Sequence, residues 1–281
     1  MNPLGIAYGI GAALSWGSAD FGAGLASRRV RPLGTIVLSQ AVGLAIAIAI
    51  VAALAEPNPG PEPLAWAVVG GVSGVVCLLA LYQALATRPM GLISAIATVV
   101  GVVVPVLIGA LTGDQLRPQD AAGTVLALSA IVLVTRPSGE MRVDRVGLGL
   151  AVLSGIGAAG FFLSMGRCTA AGGGTWWPIV AGRSTSLILA ILLTIGQRRV
   201  RETAAGLSPL LVAVGVVDMA GTAFFLLANS QGPLSLAVVV SSQYPAVTTI
   251  LAGVILAQRP GRVQIAGILV ALLGIGLISL R

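Results

Sequence analysis

Runs of about twenty apolar residues, each long enough to cross roughly 30 Å of hydrocarbon, recur about every 25 to 30 residues along the whole 281-residue chain. Lipid offers no hydrogen bonds, so each run must satisfy its own backbone as a helix or join a closed barrel. A barrel would show alternating segments of about ten residues. None is present, so the chain reads as all-α, without room for a separate soluble domain. Charged residues make up only 9% of it, against roughly a quarter in soluble domains, and the mean hydropathy is +1.01.

Runs of spanning length fall at roughly 4–26, 33–54, 64–86, 90–112, 119–135, 146–167, 176–195, 207–229, 232–257 and 262–280, which gives ten helices. The connections are short and rich in helix breakers, among them Glu56 to Pro63 and Ala170 to Gly174. Sliding the chain on itself by 144 residues places Gly5 on Gly149, Gly11 on Gly155, Ala84 on Ala228, Pro89 on Pro233, Gly109 on Gly253 and Gly123 on Gly267. Two five-helix copies, 1–138 and 139–281, follow from that register. An odd number of helices per copy turns the second upside down, the inverted-repeat plan with a site near the midplane. Chance matches in a Gly-rich chain are the alternative.

The ninth run is the most polar. It carries Ser241, Ser242, Gln243, Tyr244, Thr248 and Thr249, and Pro245 denies the helix one hydrogen bond. In the fourth run Ser94, Thr98, Gly101 and Pro105 recur at intervals of three or four, on one face. The 144 register sets them on Val238, Ser242, Pro245 and Thr249. Both halves are therefore expected to present a polar stripe, broken at Pro105 and Pro245, to one cavity. The alternative is ordinary small-residue packing, with hydroxyls bonded back to their own helices.

Three ionisable residues fall inside spans: Asp20, Arg183 and Asp218. An unpaired charge there costs about 2.5–3.5 kcal/mol on insertion scales, so each needs a partner or water. Asp20 follows Trp16 by one turn, which puts an indole and a carboxylate on one face. Asp218 shares a face with Thr222, Phe225 and Asn229. Asp20 or Asp218 is the candidate for a proton or a cationic group, with Trp16, Tyr82 and Tyr244 supplying ring faces. A structural ion pair between Arg183 and Asp218, and a solvated vestibule position for Asp20, are the alternatives. Gln83, Asn229, Gln231 and Gln243 are weaker candidates. Trp66, Trp176 and Trp177 read as interfacial anchors.

The formal net charge of +7 comes from sixteen arginines and no lysine, spread through short loops as topology signals and not as a nucleic-acid patch. There is no histidine, and Cys77 and Cys168 are the only cysteines, which excludes His-containing triads, di-His metal sites and a disulfide framework. No GxxxxGK loop is present, so direct ATP drive within this chain is excluded, and no cofactor or metal is expected. The first apolar run lacks a basic leader and reads as a retained helix.

Ala13 to Phe21 (ALSWGSADF), Ser241 to Arg259 (SSQYPAVTTILAGVILAQR), Gln264 to Ile278 (QIAGILVALLGIGLI) and the matching Asp120 to Val134 (DAAGTVLALSAIVLV) together resemble the EamA-domain transporters of the drug/metabolite transporter superfamily. The resemblance covers nearly the whole chain as two tandem copies. It implies a ten-helix inverted-repeat fold around a central cavity, in the cytoplasmic or inner membrane. It also implies movement of small metabolites, amino acids or amphiphilic compounds, often outward. The chain departs from the family pattern in its first copy, where Gly101 stands at the proline position and Pro105 follows one turn later. Gln258 replaces the acidic residue often found after the ninth helix. The Asp20 of the first block marks a subgroup, so better-known substrates are not carried onto it.

The family usually keeps both termini in the cytoplasm. The odd-numbered loops here hold twelve arginines, Arg28, Arg29, Arg31, Arg88, Arg136, Arg142, Arg145, Arg198, Arg199, Arg201, Arg259 and Arg262, while the other side holds Arg117, Arg167 and Arg281. The positive-inside rule therefore places both termini outside. Functionally the chain reads as a secondary or facilitative transporter working by alternating access on a cationic or zwitterionic solute, with proton coupling through Asp20 or Asp218 or without protons. The other readings are an intramembrane enzyme on lipid-linked substrates, which lacks clustered acids or a nucleophile with its base, and a non-transporting scaffold.

Overall fold

The computed structural model describes residues 1–27, 30–87, 90–111, 117–134, 144–197, 208–256 and 261–279. Among these, helices are the only regular structure: α1 (Pro3–Ala26), α2 (Pro32–Leu54), α3 (Pro61–Thr87), α4 (Met90–Leu111), α5 (Pro118–Val134), α6 (Arg145–Ala170), α7 (Trp176–Gly196), α8 (Pro209–Asn229), α9 (Leu234–Ser241), α10 (Tyr244–Ile255) and α11 (Arg262–Ser279). Starts follow local chemistry. Asn2, Asp144 and Ser208 cap α1, α6 and α8 through side-chain oxygens, and Pro3, Pro32 and Pro209 take first-turn positions, where no N–H is needed.

By length and apolarity, Pro32–Leu54, Pro61–Ala84, Arg145–Ala170, Trp176–Gly196, Pro209–Asn229 and Leu234–Ile255 qualify as six membrane-crossing segments, and shorter apolar stretches lie in α4, α5 and α11. The protein is thus a multi-pass membrane protein. Its apolar side chains on the outer faces, such as Leu14, Val72, Leu192 and Leu272, are exposed as lipid requires.

The two halves pack as counterparts. α3 lies most extensively on α6, and the helix 144 residues on, α8, lies on α1. Likewise α3 packs on α7 while α8 packs on α2, and α4 packs on α6 while α9 and α10 pack on α1. Backbones touch at matching glycines. A Cβ on Gly71 would strike the Gly182 carbonyl of α7, and one on its counterpart Gly215 would lie 2.7 Å from the Ser39 carbonyl of α2. Only glycine permits this approach.

The ninth run, expected as one helix, is two. α9 stops at Ser241 and α10 begins at Tyr244, with Pro245 in its first turn. Gln243 Nε2 donates to the Val239 carbonyl at 3.0 Å, which satisfies one acceptor that the break frees. The break expected at Pro105 does not occur: α4 runs through it from Met90 to Leu111. Proline removes one bond from a helix interior. One turn before Pro105 the helix is clamped on α6, where a Cβ on Gly101 would meet Ala158 at 3.0 Å, and the helix continues despite the missing bond.

Candidate solute cavity

α1, α2, α3, α6, α7, α8 and the start of α10 surround a cavity with about 130 Å³ available to the centres of water-sized molecules. It lies where the two halves cross. Gly70, Gly71, Gly74 and Gly182 form part of its wall, so small residues make the room that larger ones would fill. Trp16, Asp20, Arg183, Asp218 and Tyr244 all line it, five of the residues singled out from the sequence.

Arg183 is 5% exposed. Its Nη2 donates to Asp218 Oδ2 at 2.8 Å and its Nη1 to Gln40 Oε1 at 3.1 Å, so the ion pair anticipated as a structural alternative is formed. The guanidinium lies against α2, where a Cβ on Gly43 would sit 2.5 Å from Nη1. Asp218 is half-buried and keeps one side toward the cavity. Asp20 reaches the same cavity with no hydrogen bond or ion pair among the described residues. Two carboxylates thus face one guanidinium, which is already engaged.

Trp16 is the hub of the aromatic wall. Its ring centroid lies 5.8 Å from Phe225, 5.9 Å from Phe162, 6.3 Å from Phe161 and 6.4 Å from Tyr244. Gly221 opposite has no room for a side chain, since a Cβ would meet Trp16 Cδ1 at 2.5 Å. Ring faces beside an unpaired carboxylate suit an organic cation with an apolar body. Tyr244 Oη shares a 3.0 Å hydrogen bond with Thr98 Oγ1 of α4, and this contact joins the broken ninth run to its counterpart helix.

The other candidates fall elsewhere. Tyr82 is buried, one position beyond the cavity-lining Leu81. Thr98 supports Tyr244 without lining the cavity, Ser242 is wholly buried with no partner for its hydroxyl, and Gln243 is spent on Val239. Asn229 is buried at the end of α8, away from the lining. Pro105 and Pro245 do not line it either. Ser94 sits on α4 with its side chain outside the described residues. Polar stripes on α4 and the ninth run therefore meet each other at Thr98 and Tyr244, and α4 does not line the cavity. Gln40, Ser186, Phe161, Phe162 and Met165 do line it and were not singled out beforehand. Gln40 carried a signal, as an amide within an apolar run; the rings and Met165 look like any packing residue.

A membrane-embedded helical protein of two like halves, with a largely apolar cavity between them that holds Asp20, Arg183 and Asp218, has the plan of a membrane transporter. The chain matches the EamA-like transporter family over residues 3–136 and again over 145–280, and it belongs to that family. No curated protein sequence matches it. One solved crystal structure, described simply as that of a protein, is similar with a TM-score of 0.73 and 19% identity over 98% of each chain, which speaks to the fold alone.

Proposed function

We propose that the chain is a secondary transporter that crosses the cytoplasmic membrane ten times, as two inverted five-helix halves (1–138 and 139–281), and moves a small cationic or zwitterionic solute by alternating access. Trp16, Asp20 and Tyr244 form the binding wall, Arg183 with Asp218 a charged support, and Tyr82, Thr98, Ser242 and Gln243 the packing behind it. The observation that carries this reading is the unpaired carboxylate of Asp20, held beside the Trp16 aromatic cluster in a cavity between the halves. An unneutralised carboxylate at membrane depth is costly, which selects a cation or a proton as its partner. With Asp218 engaged by Arg183, Asp20 takes the solute cation or the coupling proton. The family's habit of moving compounds outward favours export.

Counterflow by purified protein in liposomes, over a panel of organic cations, zwitterions and dianions, tests this. Exchange of a cation or zwitterion and none of dianions is expected. Robust uptake of a dianion, or no exchange of any cation or zwitterion, would overturn it.

A further inference from the structure

One end of the cavity reaches Pro178 and Ile179, within the first turn of α7. The turn that carries Glu56 caps that end of α7. Its carboxylate accepts hydrogen bonds from the backbone N–H groups of Thr175 (3.2 Å), Trp176 (3.1 Å) and Trp177 (3.1 Å), the unpaired donors at the start of α7. The Trp177 indole Nε1 also donates to the Glu56 carbonyl at 2.8 Å. A carboxylate on a helix N-terminus gains from charge-assisted bonds and from the helix dipole.

Several local features bring it there. Ala55, which ends α2, has φ of 48°, the left-handed region that non-glycine residues rarely enter, and it turns the chain toward α7. Gly174 has φ of 69°, and a Cβ on it would sit 2.8 Å from Glu56 Oε1. Only glycine admits the carboxylate at that place. The bond joins the first half of the chain to the second. A second cross-half bond lies on the same face: Asn2 Nδ2 donates to Gln231 Oε1 at 2.8 Å, beside the start of α9. Gly166 near the end of α6 packs against Leu234 at that start, which ties the two contacts into one surface. Cys168 is fully buried beneath it, next to Gly173 and one turn past Ser164 and Met165.

We propose that Glu56 is the latch of a gate that closes the Asn2 face of the cavity, and that releasing it opens this face by parting the α2–α3 turn from the α7 N-terminus. The proposal rests on the alternating-access reading above. The Asn2–Gln231 bond loosens with it, because Gly166 of α6 packs on Leu234 and joins the two contacts in one surface.

The experiment uses the full wild-type chain, Glu56→Gln and Glu56→Ala in lipid nanodiscs. N-ethylmaleimide labelling of Cys168 is read by peptide mass spectrometry and backbone opening by hydrogen–deuterium exchange. In Glu56→Ala, Cys168 labelling rises about tenfold and exchange accelerates both at 175–178 and at the remote 1–6 and 230–234 segments, as a shift toward an open minor state demands. Glu56→Gln gives the same pattern with a smaller rise. Unchanged labelling, or faster exchange confined to 175–178, overturns the latch and leaves Glu56 a local cap. Exchange spreading to the α5–α11 contact at Gly123 and Gly274 overturns it too, since the carboxylate then holds the fold and not a gate. None of these readouts needs a transported solute, so failed transport and a failed latch are separate results.

Discussion

Removing the Asp218 charge tests whether the cavity's ion pair holds Arg183 in place. Asp218→Asn leaves a guanidinium that is 5% exposed with Gln40 as its remaining side-chain acceptor and an unpartnered Nε. Breaking a fully buried pair costs about 3–5 kcal/mol. Asp218 is 23% exposed toward the cavity, so water softens the loss, and about 2–3 kcal/mol is the expected destabilisation. Arg183→Met leaves a carboxylate that water reaches, at about 1–2 kcal/mol. With both changes neither partner of the pair is stranded, and the double variant is expected to be no less stable than Asp218→Asn alone, a coupling of about 1–2 kcal/mol. Thermal melting of the four proteins in detergent, followed by tryptophan fluorescence, reads the cycle. Additive losses in the double variant would refute a direct Arg183–Asp218 interaction.

Gly221→Ala places a methyl group 2.5 Å from Trp16 Cδ1 and must turn the indole, so solute affinity is expected to fall about tenfold by fluorescence titration with little change in helix content by circular dichroism. Tyr244→Phe removes the hydrogen bond to Thr98 and is expected to cost about 0.5–1.5 kcal/mol in melting experiments; no loss would mean the contact carries no energy. A reporter fused after Arg281 that is active only outside the cytoplasm is expected from the distribution of arginine between loops; activity only in the cytoplasm would reverse the orientation.

The cost of charge in lipid made much of this legible in the sequence. Asp20, Arg183 and Asp218 stand out because an apolar run does not tolerate them without a reason, and all three meet in one cavity. The 144-residue register relates the α3–α6 pair to the α8–α1 pair, although which helices pack together was not legible in it. Helix rotation was less legible. Tyr82 and Leu81 differ by one position, or about 100° around α3, and only Leu81 reaches the cavity. Phe161, Phe162 and Met165 carry no polar mark that separates a cavity wall from a core. Pro105 and Pro245 have the same chemistry. Only Pro245 starts a new helix, and there the Gln243 side chain supplies a local donor for the Val239 carbonyl that the break frees.

Asp20 carries the central claim, and one substitution tests it. Asp20→Asn keeps the size of the side chain and removes the charge that selects the solute. For the cation that the wild-type protein exchanges best, counterflow by Asp20→Asn is expected to fall at least about tenfold, with melting temperature kept or raised because an unneutralised carboxylate leaves the membrane interior. Exchange at the wild-type rate would contradict the assignment of Asp20 to the transported charge.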